Sequence, residues 1–273
     1  MSKLDTLPLG CMGNKRNELK LLLPIIEPQI TKETIFVEPF CGSSIVSFNV
    51  FKKFNDIKFH INDLDPFRIK FYKNMNNEKE RQKLYKLEKE IVEKGADFYN
   101  SIVRSGTDDY LKYVISKRIH NFRHGLYPTN KKIILHEISE NWKTFFKKTQ
   151  ITNQDYLDIF DKYKDNENAF LYLDPPYMDS FNAGYATYHY KSHDKDLKII
   201  DNTEMYIKFL DFLKNGKCKI LFSINDCALT NYLYKDYIKN TYNHIYQSAH
   251  LNIKGLNENA NKKHTNVLII SNF

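Results

Sequence analysis

The order strand, glycine turn, helix, strand in the first 75 residues limits the fold more than any other feature. Thr34-Ile-Phe-Val-Glu38 is a short β-branched and aromatic run that reads as a buried strand. Phe40-Cys-Gly-Ser-Ser44 punctuates it, and Ile45 to Phe51 begins a helix. A second strand, Lys58-Phe-His-Ile-Asn62, runs into Asp63, and helical spacing resumes from Pro66 to Asn74. Alternation of this kind opens a doubly wound parallel sheet. It returns with a strand at Ala169–Leu173, a helix over Thr203–Asn215, and strands at Cys218–Ile224 and Val267–Ile270. Leu19, Leu22, Leu23 and Ile26 predict an earlier helix that ends at Pro24 and Pro28. The expected architecture is an α/β core from residues 1–77 and 150–273, interrupted by a mainly helical module at 78–149. Within that module Leu84, Leu87 and Ile91 mark one face of a charged helix over Glu78–Lys94.

Composition excludes several classes. With 42% hydrophobic and 27% charged residues, the chain of 273 can bury a core and is not disordered. Its four cysteines (Cys11, Cys41, Cys218, Cys227) form no CxxC pair and no cluster with histidine, which argues against a disulfide scaffold or structural zinc and predicts no metal. No run of about 18 apolar residues predicts a membrane span, and Met1–Lys20 lacks the layout of a signal peptide. A soluble protein, cytoplasmic or wherever its target lies, is expected. The net charge is +8, and Lys112–Lys148 alone holds nine basic residues against two acidic ones. That stretch is either a solvated basic face or a grip for a polyphosphate partner.

Two segments carry chemistry. Gly42, at the carboxyl end of the first strand, lets backbone approach a ligand closely, and Asp63 follows it by 21 residues. An acidic side chain at that distance suits ribose hydroxyls, with Asp65 a second candidate. The loop lacks G-x-G-x-x-G, so an adenosine ligand without phosphates fits better than a dinucleotide. The second segment is Asp174-Pro175-Pro176-Tyr177. Two successive prolines remove two N–H donors and fix two φ angles. The result is a stiff corner presenting the Asp174 carboxylate and the Pro175 carbonyl. Two acceptors side by side suit an NH2 group, and Tyr177 can stack on a planar ring. An exocyclic amine on a heterocycle is a poor nucleophile because its lone pair is delocalised. Hydrogen bonds from both of its N–H groups favour a tetrahedral nitrogen that can attack a sulfonium methyl group.

These motifs, in this order, resemble the Dam-like (D12 class) DNA adenine-N6 methyltransferase family. Met12-Gly-Asn-Lys15 is similar to the family's N-terminal signature, Phe36–Gly42 to its cofactor loop, and Asn62-Asp63 to its ribose-binding position. Asp155-Tyr156 is similar to the aspartate-aromatic pair near the cofactor adenine, and Asp174-Pro-Pro-Tyr177 matches the catalytic tetrapeptide. The resemblance implies a Rossmann-like, S-adenosylmethionine-dependent methyltransferase sheet whose insert recognises the target in double-stranded DNA. It implies that Lys15 holds the methionyl end, that Glu38, Phe40 and Gly42 line the cofactor loop, that Asp63 binds ribose, and that Asp155 and Tyr156 lie near the adenine. Asp174, Pro175, Pro176 and Tyr177 would grip a flipped adenine.

Arg118, Arg123, Asn130, Lys131 and Lys132 are the candidate DNA contacts, because base flipping costs a few kcal/mol that backbone contacts and pocket stacking must offset. Trp142 belongs either to a small core or to the DNA face. Met178 to Asp196, with Tyr185, Tyr188 and Tyr190, is expected to close over the flipped base. A monomer or weak dimer is expected, and a cognate restriction endonuclease is an eligible partner.

The chain departs from the family pattern at Gly42-Ser43-Ser44, where many relatives carry a second glycine, and at Cys11, where many carry an aromatic. His120–Leu126 is only faintly similar to the usual recognition segment, so no DNA sequence specificity transfers. Alternatives are methylation of cytosine N4, of an RNA base or of protein glutamine, and an inactive relative that only binds DNA.

Overall fold

The structure is a computed structural model that describes residues 5–11, 13–105, 108–119, 126–176, 203–247 and 262–273. It separates into two compact units, residues 1–162 and 163–273.

In the first unit, β1 (Ile35–Glu38), β2 (Lys58–Asn62) and β3 (Thr149–Thr152) run parallel in the order β3-β2-β1. Glu38 pairs with Ile61, and Asn62 with Thr152, so the three carboxyl ends share one edge. Phe36, Val37, Phe59 and Ile61 are buried, giving the continuous apolar runs of strands covered on both faces. Thr149-Gln-Ile-Thr152 has no such run, and the sequence reading contains no β3.

One helix differs from expectation. α1 (Leu19–Ile26) does not stop at Pro24 but runs through it. Pro24 is exposed, and the burial of Leu19, Leu22 and Ile26 on the other face offsets the backbone hydrogen bond that proline cannot make. α2 (Ile45–Lys53) starts from Ser44 in a left-handed conformation (φ 55°). α3 (Pro66–Asn74) has proline in its first turn and Asp65 as its cap, whose Oδ1 accepts from the amides of Phe67 and Arg68.

The segment 78–149 lies within this unit. α4 (Glu78–Lys94) is capped by Asn77 and followed by Gly95 at φ 79°. It joins α5 (Ala96–Arg104) and α6 (Asp109–Ile119) around Ile91, Tyr99, Ile115, Ile119 and Ile133. The last helix of the segment, α7 (Glu140–Lys148), packs elsewhere. Its Trp142 stacks on Phe48 of α2, with ring centroids 3.6 Å apart and planes 7° apart, and Phe145 meets Phe48, Phe51 and Phe59 edge-on. Trp142 is fully buried there, so it belongs to the core. α8 (Tyr156–Tyr163) follows β3.

In the second unit the strand order is β4-β5-β7-β6, where β4 is Ala169–Leu173, β5 Lys219–Asn225, β6 Ile238–Gln247 and β7 Lys262–Ser271. β4 and β5 are parallel, and β7 is antiparallel to both β5 and β6. β6 begins Ile-Lys-Asn-Thr-Tyr-Asn, with only a weak apolar signal, as suits an edge strand. α9 (Thr203–Asn215) and α10 (Ala228–Tyr234) contribute Phe209 and Tyr234, which meet Phe222 of β5 edge-on. The whole is a mixed α/β fold with mostly parallel strands. No described helix is long and apolar enough to cross a membrane.

Candidate active site

At the shared carboxyl edge of β1, β2 and β3, the loops that follow are tied by one buried side chain. Asn62 accepts at Oδ1 from Thr152 Oγ1 (2.8 Å) and the Gln154 amide (2.9 Å). Its Nδ2 donates to the carbonyls of Pro39 (3.1 Å) and Gln154 (3.0 Å). Ligands of open α/β sheets bind at this edge. The first unit therefore brings together Glu38, Phe40, Gly42, Asp63, Asp155 and Tyr156 on neighbouring loops. Asn62 was expected only as part of the Asn62-Asp63 pair. A buried amide satisfied on both sides signals a loop anchor, a role that a neighbour in sequence does not reveal.

Gly42 has φ 46°, a conformation in which a Cβ would be strained. Its amide donates to Asp63 Oδ2 at 2.9 Å, and its carbonyl accepts from the buried Tyr72 hydroxyl at 2.7 Å. Asp63 Oδ1 takes the Asp65 amide at 2.9 Å, and about a fifth of the Asp63 side chain remains exposed. Glu38 is buried and accepts from both the amide and the hydroxyl of Ser47 in α2. Asp65 differs from the ribose candidate of the sequence reading. It is buried, and its oxygens serve the α3 cap and the Tyr113 hydroxyl. Burial, offset in part by Arg68 and reinforced by Asp65, pushes the Tyr113 hydroxyl well above the usual tyrosine range. Burial also raises the Cys41 thiol, with Asp63 and Glu38 adding to the effect, so the thiol stays protonated.

Phe40 and Tyr156 are half-buried and pack with ring centroids 5.3 Å apart at 31°. Asp155 is exposed, and its Oδ1 accepts from the Leu157 amide. Lys15 is buried with Nζ donating to the Gly13 carbonyl at 3.3 Å, while Met12 lies outside the described residues. A partly open carboxylate, an aromatic pair and a glycine turn on one edge fit an adenosine with an amino-acid arm. They provide hydroxyl acceptors and a planar surface.

In the second unit, the fully buried β4 leads into Asp174, which is half-buried, Pro175, which is buried, and Pro176, which is exposed. The Tyr206 hydroxyl of α9 donates to the Pro176 carbonyl at 2.5 Å, and Tyr206 in turn accepts at its own carbonyl from the Tyr234 hydroxyl at 2.7 Å. Neither tyrosine is legible as a support from sequence, since both lie 30 or more residues away on helices. Tyr177, and the Met178–Asp196 segment with Tyr185, Tyr188 and Tyr190, lie outside the described residues.

Among the DNA candidates, Asn130, Lys131 and Lys132 are exposed, and Arg123 lies outside the described residues. Arg118 is committed to the protein interior. Its guanidinium makes a bidentate pair with Glu88, with Nη2 to Oε2 at 3.0 Å, and donates to the carbonyls of Pro8 (2.9 Å) and His136 (3.0 Å). Only 3% of its side chain is exposed.

The family model for the D12 class N6 adenine-specific DNA methyltransferases matches residues 12–112 and 109–253. The chain belongs to this family. The D12 assignment covers both the glycine-turn edge of the first unit and the proline corner of the second. A curated relative, the modification methylase StsI of Streptococcus sanguinis, is 24% identical over 95% of this chain. The chain spans 40% of that protein's length. A solved chain described as "a putative methyltransferase from Thermoplasma acidophilum" shares 8% identity, covering 88% of this chain and 66% of that one. The TM-score is 0.33. The D12 class accounts for the Rossmann-like methyltransferase sheet.

Proposed function

We propose that this chain transfers a methyl group from S-adenosylmethionine to the N6 amino group of a flipped adenine in double-stranded DNA. The observation that carries the reading is the corner Asp174-Pro175-Pro176 at the end of a fully buried strand, in a chain of the D12 class. Bound S-adenosylmethionine would supply an electrophilic methyl group on a sulfonium.

The protein's part is to prepare the amine. Asp174 and the Pro175 carbonyl accept its two N–H bonds, which draws the lone pair out of the ring, and the carboxylate holds the proton as positive charge develops on nitrogen. Tyr177 stacks on the extruded base, which offsets part of the cost of flipping. Lys15, Glu38, Phe40, Gly42, Asp63, Asp155 and Tyr156 hold the cofactor. Residues 78–149 form the target-recognition module, with Arg123, Asn130, Lys131 and Lys132 on the phosphate or base-edge side. The protein acts where its DNA lies, alone or beside a cognate nuclease.

The test is methyl transfer to duplex DNA followed by nucleoside analysis. N6-methyladenine made by the wild type and lost in Asp174→Ala is expected. N4-methylcytosine, or equal labelling by the two proteins, would overturn the reading.

A further inference from the structure

Residues 126–139, which lead into α7, form neither helix nor strand, yet side chains of the first unit pin them at several points. Asn100 of α5 is 6% exposed and grips the Tyr127 backbone twice. Its Oδ1 accepts from the Tyr127 amide at 2.7 Å, and its Nδ2 donates to the Tyr127 carbonyl at 3.0 Å. The Tyr127 hydroxyl in turn donates to the Lys132 carbonyl at 3.2 Å, and the Lys131 amide donates to the Pro128 carbonyl at 3.1 Å. Beyond the turn closed in this way, Ile133 is buried in the cluster around Ile91 and Tyr99. The His136 carbonyl then accepts from Arg118.

Between the pins at Tyr127 and Ile133, the side chains of Pro128, Thr129, Asn130, Lys131 and Lys132 are all exposed. Among the described residues no carboxylate pairs with either lysine. Fixing an irregular backbone costs conformational entropy, and a stretch of this length without helix or strand inside a compact unit is commonly a binding element. Two ammonium groups beside small polar side chains match the oxygens of neighbouring phosphates. A turn already held in its bound shape need not be ordered at the moment of contact, which raises affinity without adding a contact.

We propose that Asn100 and Tyr127 are positioning residues for DNA binding, holding the turn at 128–132 so that Lys131 and Lys132 meet the phosphates of the duplex. The inference rests on the DNA reading above. It gives Asn100 no contact with DNA, since its side chain is buried against the Tyr127 backbone. Asn100 acts through the lysines, and that dependence is what an experiment can read.

The experiment is a double-mutant cycle on the full chain, read by fluorescence anisotropy with a labelled DNA duplex of mixed sequence. Its corners are the wild type, Asn100→Leu, the double variant Lys131→Ala with Lys132→Ala, and the three substitutions combined. The lysine variant should bind the duplex roughly tenfold or more weakly. Asn100→Leu should weaken binding roughly fivefold or more and flatten its salt dependence. S-adenosylmethionine affinity by calorimetry should stay within about twofold of wild type. Once both lysines are gone, Asn100→Leu should cost less than about a further twofold in DNA affinity. If the thermal melt shows that Asn100→Leu does not fold, Tyr127→Phe, which drops only the bond to the Lys132 carbonyl, takes its place in the same cycle.

Unchanged DNA affinity in Asn100→Leu, or losses that multiply in the combined variant, would make Asn100 purely structural and overturn the proposal. Equal loss of cofactor and DNA affinity would be a general loosening of the fold and would overturn it too. A lysine variant that binds like wild type would overturn this inference and leave the DNA reading standing. A wild type with no affinity for the duplex would overturn both.

Discussion

The backbone amide of Gly42 donates to Asp63 Oδ2 at 2.9 Å, so the acidic residue that follows β2 is also the strut of the glycine turn that follows β1. The two residues are 21 apart in sequence. Asp63→Asn retains one acceptor oxygen where the carboxylate offers two, and it must release either Gly42 or Asp65. S-adenosylmethionine affinity should fall tenfold or more by calorimetry. Affinity within twofold of wild type would remove both the strut and the ribose role.

Tyr206→Phe leaves the Pro176 carbonyl without its hydroxyl partner and changes nothing else in volume. The corner should loosen, lowering the methyl-transfer rate by about tenfold, the scale of one lost hydrogen bond, with little change in S-adenosylmethionine affinity. A rate equal to wild type would show that the prolines alone set the corner.

Trp142→Ala removes a fully buried ring stacked on Phe48 and should destabilise the protein by about 3–5 kcal/mol in urea unfolding. DNA affinity of the folded protein, measured cold, should hardly change. A large loss of affinity without a loss of stability would place Trp142 on the DNA face after all.

Arg118 and Lys131 should separate cleanly. Arg118→Met strands the buried Glu88 carboxylate and should lower stability by about 3–5 kcal/mol. Replacing Lys131 and Lys132, both exposed, with alanine should leave stability alone and flatten the salt dependence of DNA binding by up to about two counterions. An unchanged salt slope in the lysine variant would move the phosphate contacts elsewhere.

His60, buried in β2 with Nε2 2.8 Å from Thr152 Oγ1, has its pKa lowered from 6.5 to about 4 by burial and, secondarily, by Lys162. Between those values the unfolded chain binds the proton more readily than the folded one. The histidine's contribution is therefore intact above pH 6.5 and is lost as pH falls toward 4. The slope should be at most about 1.4 kcal/mol per pH unit. His60→Gln should flatten unfolding free energy against pH in that window, and an unchanged slope would assign the acid sensitivity to other groups.

Elements with strong local signals were legible. β2, β4, α3, α4 and α9 have the bounds that apolar runs and helical spacing predict, since such signals act within a few residues, as do the caps Asn77 and Asp65 that the structure adds. β3 and β6 were not, because a short or polar edge strand is defined by its neighbour's hydrogen bonds. Pro24 shows the same limit in reverse, since burial of Leu22 and Ile26 carries α1 through a residue that local rules treat as a stop.

By itself, the sequence determined the order of chemistry along the chain: a glycine turn, an acidic residue after the next strand, and a stiff Asp-Pro-Pro corner after a buried one. These are local properties, set by φ restriction, missing donors and apolar period. Only the tertiary structure decided which charges are spent inside. Arg118 closes on Glu88, 30 positions away, because a charged side chain's role depends on what burial brings beside it.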